Sequence, residues 1–327
     1  MTIKFEYPQG ATPINDVSGL KLSWVNTQGQ LNRVEAENIS YAIEKYLLKP
    51  VAMPVSWFNV LDLKKIHKAM FFQVWDWAGS FRNFQTIPGV KFYQIQNTLK
   101  DLCDDVLFWN SEGCEMTFIE QAARIHHRLV YIHPFANGNG RFSRMIADRY
   151  LKALKCVFPI WPSAIQKDSD IRKNYIFSLK KADIGDYFLL IEFMKKYGAK
   201  EPLLNELVSD KFFRNFNRNF LEKLIIAYLK QGHHVNETSN GHLPLQLAIK
   251  KGLLEVANIL IRAKADLLSR DKSGFTSFEM AILQKQYSIA KYIYDFGYPY
   301  KPKCPPVSKL LNYYTYLYEF DGIYFKN

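Results

Sequence analysis

Residues 133–144 read HPFANGNGRFSR, and their types in this order suit the chemistry of a phosphoanhydride. Gly138 and Gly140 flank Asn139, and glycines let successive backbone N–H groups turn inward into a nest that accepts an anion. A helix expected to open near Arg141 adds its own free N–H groups and its dipole to the same spot. Arg141 and Arg144 are three residues apart and share a helix face, so two fork-shaped cationic donors converge on one side. A di- or triphosphate fits such a set. His133 stands at the opposite lip, where a neutral imidazole with an ordinary pKa near ~6.5 could take the proton of an attacking hydroxyl. Asn137 offers a carbonyl oxygen for a Mg²⁺ ion that bridges phosphate oxygens.

These residues need rigid supports, and the flanking pattern supplies them. Thr117 and Glu120 have capping-box spacing, and Phe118, Ala122, Ile125, Leu129 and Ile132 recur at helical intervals up to His133. Pro134 excludes the residue before it from the helical region, which places His133 at the junction of helix and loop. Upstream, LNRVEAENISYAIEKYLL and VLDLKKIHKAMFFQVW carry apolar residues at helical spacing. Between them and the core helix lies WAGSFRNFQTIPGVKFYQI, whose glycines, proline and β-branched residues suggest a hairpin-like loop near Ile87–Tyr93. The adjacent His126 and His127 point to different helix faces with no third ligand in spacing, so they read as packing or surface residues.

The whole chain has 327 residues, enough for two domains, and YGAKEP marks a boundary near residue 200. Its net charge of +12 is spread without any basic run, so no nucleic-acid partner is expected. Four cysteines lack CxxC spacing and suit a reducing, cytoplasmic setting, whether of the producing cell or of a host. No leader-like start or long apolar window suggests export or a membrane span.

Residues 241–273 are echoed from residue 274 onward, thirty-three residues later, with Gly241 and Ala248 repeating as Gly274 and Ala281. That period, with a Gly-x-x-Pro-Leu opening, matches ankyrin repeats, and LIIAYLKQGHHVN looks like part of a further unit upstream. So short an array must lean on neighbours, and the aromatic tail 304–327 is an available cover. The expected fold class is mainly α: a helical domain over 1–200 with a small β-hairpin flap, linker helices and ankyrin repeats over 201–303, then the tail.

The loop is similar to the signature HPFx[D/E]GNGRxxR of Fic proteins, differing where Asn137 replaces an acid. WDWAGSFR and ARIHHRLVYIHPF resemble that family's supporting segments, and the stretch from ATPIND to LNRVEAENI resembles the branch called mobile mystery protein B. The resemblance implies a protein adenylyltransferase that moves AMP from ATP, with Mg²⁺, to a Ser, Thr or Tyr hydroxyl of a target protein. It implies His133 as general base, Asn139 with the Gly138 and Gly140 amides on the α- and β-phosphates, Arg141 and Arg144 on the leaving phosphates, and Pro134 and Phe135 anchoring the loop. Asn137 would be a weaker metal ligand than the usual carboxylate. The flap would pair with an extended target segment, and the ankyrin surface would help select that target. An inhibitory [S/T]xxxE[G/N] motif of the family finds its end in Glu37-Asn38, with Arg33 at the hydroxyl position. Ankyrin-bearing bacterial effectors that transfer phosphocholine, and a catalytically silent scaffold, are the other readings the residues leave open.

Overall fold

The computed structural model describes residues 19–167, 169–209, 218–238 and 241–299. The expectations for the N-terminal ATPIND segment and for the aromatic tail lie outside the described residues. The described chain is mainly helical. It divides into two compact units after Glu201, and a short stretch, Glu112–Met116, groups with the second.

In the first unit, α1 (Gln28–Ile43) starts at Thr27, whose hydroxyl accepts from the Gln30 amide while the Gln30 side chain returns to the Thr27 amide. Its buried face carries Leu31, Val34, Glu35, Asn38 and Ala42. Asn59 caps α2 (Val60–Phe71) with its side-chain oxygen, which accepts from the Asp62 amide. The inward stripe of α2 is Leu63, Ile66, His67, Met70 and Phe71. α3 (Ile95–Ser111) is followed by α4 (Phe118–Ile132), capped by the Thr117 hydroxyl on the Glu120 amide. α5 (Asn139–Ala153) packs along α4 and begins two residues earlier than expected, because Gly138 takes a left-handed conformation (φ 78°) that starts the helix at once. α6 (Asp170–Asp183) and α7 (Phe188–Lys196) complete the unit.

The expected β-hairpin flap is not seen among the described residues. Residues 81–91 are an irregular loop that ends in a 3₁₀ turn, Phe92–Gln94. Chemistry explains the difference. Pro88 has no N–H to donate to a ladder. The carbonyls that a hairpin would pair are instead taken by one side chain: Arg82 Nη1 donates to Phe84 O at 2.7 Å and Nη2 donates to Val90 O.

The second unit holds α8 (Leu204–Leu207), α9 (Arg218–Lys230) and two helix pairs, α10 (Pro244–Lys250) with α11 (Leu254–Arg262) and α12 (Ser277–Leu283) with α13 (Tyr287–Asp295). Equivalent positions play equivalent parts. Gln246 and Glu279 each reach back to the amide three residues before, at 3.2 and 2.8 Å. Ala248 and Ala281 are fully buried where the helices touch. Gly252 and Lys285 both turn left-handed at the first helix's end. The Glu112–Met116 stretch is tied in by Lys223 Nζ, which donates to Glu112 O at 2.8 Å, and by the Lys230–Glu115 ion pair. Gly113 lies so close to the Phe220 backbone that a Cβ would meet its Cα at 2.6 Å.

Candidate active site

The α4–α5 connection borders a cavity of about 640 Å³. His133, Asn137, Gly138, Asn139, Gly140, Arg141 and Arg144 all line it, together with Glu35 from α1 and the loop residues Ile87–Gly89. Seven of the residues read from the sequence are thus brought to one wall.

His133 closes α4 in a left-handed conformation (φ 52°, ψ 59°), not the extended one that a following proline favours. Such a backbone costs on the order of 1–3 kcal/mol and must be held from outside. Its N–H donates to Leu129 O at 3.1 Å, and its carbonyl accepts from Arg82 Nε at 2.7 Å. Arg82 is therefore the clamp that joins the His133 backbone to the irregular loop. The His133 imidazole is buried, with Nδ1 3.4 Å from Val130 O. Donation from Nδ1 leaves Nε2 as the basic nitrogen. Burial lowers its pKa to about 4, and the nearby Arg82 charge adds to the effect. The ring is thus neutral at working pH, though a weaker base than an ordinary histidine.

The rest of the loop rests on α2. Phe135 is fully buried and stacks on His67 with ring centres 3.5 Å apart, so it anchors the loop from below. Asn139, expected to hold phosphate, turns its amide onto the Phe135 backbone instead: Oδ1 accepts from Phe135 N at 3.0 Å and Nδ2 donates to Phe135 O at 2.8 Å. Gly138 sits over the Phe71 ring, where a Cβ would meet Cζ at 2.4 Å. The Arg141 guanidinium covers the same ring at 4.9 Å. The Arg144 guanidinium lies near the Trp161 and Tyr175 rings, at 5.9 and 6.0 Å from their centres. Asn137 is half-buried, and its Oδ1 accepts from the Gly138 amide.

Two features were not read from the sequence. Glu35 is buried and bridges two elements, its Oε1 accepting from Trp75 Nε1 at 2.7 Å and its Oε2 from Arg141 Nη1 at 2.7 Å. Glu37, the expected inhibitory residue, lies on the exposed side of α1 and is not among the residues that line the cavity. The signal for Glu35 was its position, four residues after Leu31 on the apolar stripe. The second is His67, whose Nδ1 accepts from Gly79 N at 3.0 Å. His126 is a packing residue, with Nε2 2.8 Å from the Tyr175 hydroxyl. His127 lines the cavity and pairs with Asp183 at 2.9 Å.

A neutral buried histidine, an amide-lined turn and two arginines on one wall coincide with a recognised family. Residues 57–151 match the Fic/DOC family model. This part of the chain is a Fic/DOC domain. Residues 213–303 match the model for ankyrin repeats in three copies, which includes the unit expected upstream of the two full repeats. The Fic domain is similar to that of protein adenylyltransferase fic-1 from Caenorhabditis briggsae, 33% identical over 123 residues, which covers 37% of this chain and 23% of the relative. It is 37% identical over 119 residues to protein adenylyltransferase Fic from Drosophila virilis, which covers 36% of this chain and 23% of that protein. The chain thus spans less than a quarter of the length of these relatives. Among solved structures, the N-terminal Fic domain of a VirB-translocated Bep effector protein from Bartonella quintana matches 58% of this chain and 92% of its own, at 20% identity and a TM-score of 0.45.

Proposed function

We propose that this protein transfers AMP from ATP to a hydroxyl of a target protein, and that His133 is the general base. The observation that carries this reading is the juxtaposition, on one cavity wall, of the neutral His133 imidazole with the amides of Gly138 and Gly140 and the guanidinium groups of Arg141 and Arg144. The naming of two relatives as protein adenylyltransferases supports the choice of donor.

In this reading the target hydroxyl attacks the α-phosphorus. A new O–P bond forms as the bond to the β-phosphate oxygen breaks, pyrophosphate leaves, and the hydroxyl proton passes to His133 Nε2. The Gly138 and Gly140 amides and the start of α5 hold phosphate oxygens in place of water. Arg141 and Arg144 neutralise the leaving pyrophosphate. A Mg²⁺ ion would find one neutral oxygen in the loop, that of Asn137, so most of its ligands would be phosphate oxygens and water. When bound, such an ion would offset charge on the phosphates.

The target would approach over the loop that follows Arg82. Ile87 is 94% exposed and lines the cavity, which gives an apolar contact beside the reacting groups. The ankyrin unit would add a protein-binding surface for the same target.

The test is to incubate the full chain with Mg²⁺ and, separately, ATP, CTP, GTP, UTP and CDP-choline in cell lysate, and to record adduct masses on protein. An AMP adduct that is absent with His133→Ala supports the reading. A phosphocholine adduct would reassign the donor. Absence of any adduct with every donor would leave the ankyrin scaffold as the better account.

A further inference from the structure

The loop that would hold the donor phosphates is oriented by a residue that does not reach the cavity. Gly79 N–H donates to His67 Nδ1 at 3.0 Å. A backbone amide can only donate, so Nδ1 is the acceptor and the ring's proton must sit on Nε2. Nε2 lies 3.1 Å from Asn137 O and therefore donates to it. The tautomer is thus fixed by backbone partners on both nitrogens. The ring is fully buried and clamped flat against Phe135, with an interplanar angle of 10°.

Gly79 is part of this device. Its φ of +80° and the 2.7 Å that would separate a Cβ from Lys68 Cβ mean that only glycine passes so close over α2. That close passage brings its amide to His67.

The consequence falls on the peptide between Asn137 and Gly138. In a trans peptide the C=O and the N–H point in opposite directions. Holding Asn137 O toward His67 therefore turns the Gly138 N–H away from α2, to the side where it already donates to Asn137 Oδ1. An amide on that side can join an anion nest once an incoming anion takes the place of Asn137 Oδ1. Without the anchor the peptide could flip, presenting a carbonyl oxygen to an anion where a donor is needed.

We propose that His67 is a positioning residue for the phosphate donor: by donating Nε2–H to Asn137 O it fixes the Asn137–Gly138 peptide with its N–H toward the bound anion. This rests on the loop being an anion site, and deepens the transfer reading above.

Two substitutions separate this role from mere packing. The Asn side chain places an oxygen near Nδ1, so His67→Asn keeps the Gly79 bond and loses the Asn137 bond. The Gln side chain places an amide near Nε2, so His67→Gln keeps the Asn137 bond and loses the Gly79 bond. Both lose the stack on Phe135. The full chain, labelled with ¹⁵N-glycine, is titrated with inorganic pyrophosphate while the Gly138 and Gly140 amide signals are followed, and thermal unfolding is recorded for each variant.

The expected result is similar melting loss in both variants, with pyrophosphate affinity down roughly tenfold in His67→Asn and within about threefold of the parent in His67→Gln. Equal loss in the two variants, no loss in either, or a parent protein whose Gly138 amide ignores pyrophosphate would each overturn the proposal. A parent that binds pyrophosphate but adds no mass to any protein with any donor would sink the transfer reading alone, and the comparison of the two variants would still decide the role of His67.

Discussion

Glu35 on α1 and Arg141 on α5, 106 residues apart in the chain, meet at 2.7 Å inside the cavity, with Glu35 almost wholly buried. A carboxylate that occupies one edge of the guanidinium competes with a phosphate for it. Glu35→Gly is therefore expected to raise the rate of transfer at least about fivefold, since freeing an ionised partner is worth on the order of 1–3 kcal/mol. The same change strands Trp75 Nε1, so the melting temperature should fall. Glu37→Gly should leave both quantities unchanged. A Glu35→Gly protein with lower activity would mean that the carboxylate aligns Arg141 for the donor and does not obstruct it.

Three buried histidines set the acid limit of the fold. Burial lowers His67 and His126 to about 3 and His133 to about 4, from an ordinary value of 6.5. Each takes up a proton in the unfolded chain before the folded one, so its contribution is fully present above pH 6.5 and is lost as pH falls toward the folded value. Asp148 acts in the opposite sense, because burial raises it to about 8 and it is protonated first in the folded state. Near pH 5 these four groups leave the unfolded chain about two protons ahead, or about 3 kcal/mol lost per pH unit. Urea unfolding should show that slope between about pH 5.5 and pH 4 and almost none around pH 7. The rate of transfer should stay level from pH 8 to pH 6, and an inflection near 6.5 would show that His133 is more solvated than its position here implies.

Arg82 joins four carbonyls, those of His133, Phe84, Val90 and Ile132. A lysine ammonium cannot reproduce that planar fork. Arg82→Lys is expected to cost roughly 2–4 kcal/mol of stability and to lower transfer further than the stability loss explains, because the His133 backbone is no longer pinned. Chemical denaturation and the mass-adduct rate, measured on the same sample below the melting temperature, separate the two effects.

Asn137→Asp should lower the Mg²⁺ concentration needed for half-maximal transfer, since a carboxylate binds a hard cation more tightly than an amide. The new carboxylate can still accept from the Gly138 amide, as Asn137 does now. Unchanged metal dependence would remove Asn137 from the set of ligands.

The helices and the repeat were legible because they rest on periodicity. The capping residue Thr117 and the apolar series through Ile132 define α4, and the thirty-three-residue period defines the paired helices of the second unit. Gly138, Gly140, Arg141 and Arg144 stood out because their type and spacing suit an anion, and the structure sets all four on the cavity wall. What escaped was set by tertiary contact. Asn139 has the chemistry to hold an anion, yet its side chain is consumed by the Phe135 backbone. Glu35 and Glu37 are interchangeable by composition, and only the register of the buried stripe beneath Leu31 separates them. His67 looks like one more core position on α2 until its two nitrogens are followed to Gly79 and Asn137. The flap offered glycines, a proline and β-branched residues, and no pattern in them could show that a guanidinium would take the place of a paired strand.

The Glu112–Met116 stretch, which leaves α3, joins the second unit and returns to α4, makes the chain discontinuous with respect to its own parts. A cut after residue 201 therefore does not yield a clean half. It would leave Gly113 without Phe220, and Glu112 and Glu115 without Lys223 and Lys230. An exchange of the repeats for those of another protein would have to carry this five-residue insert along, because the boundary between the two units is written at two places in the sequence.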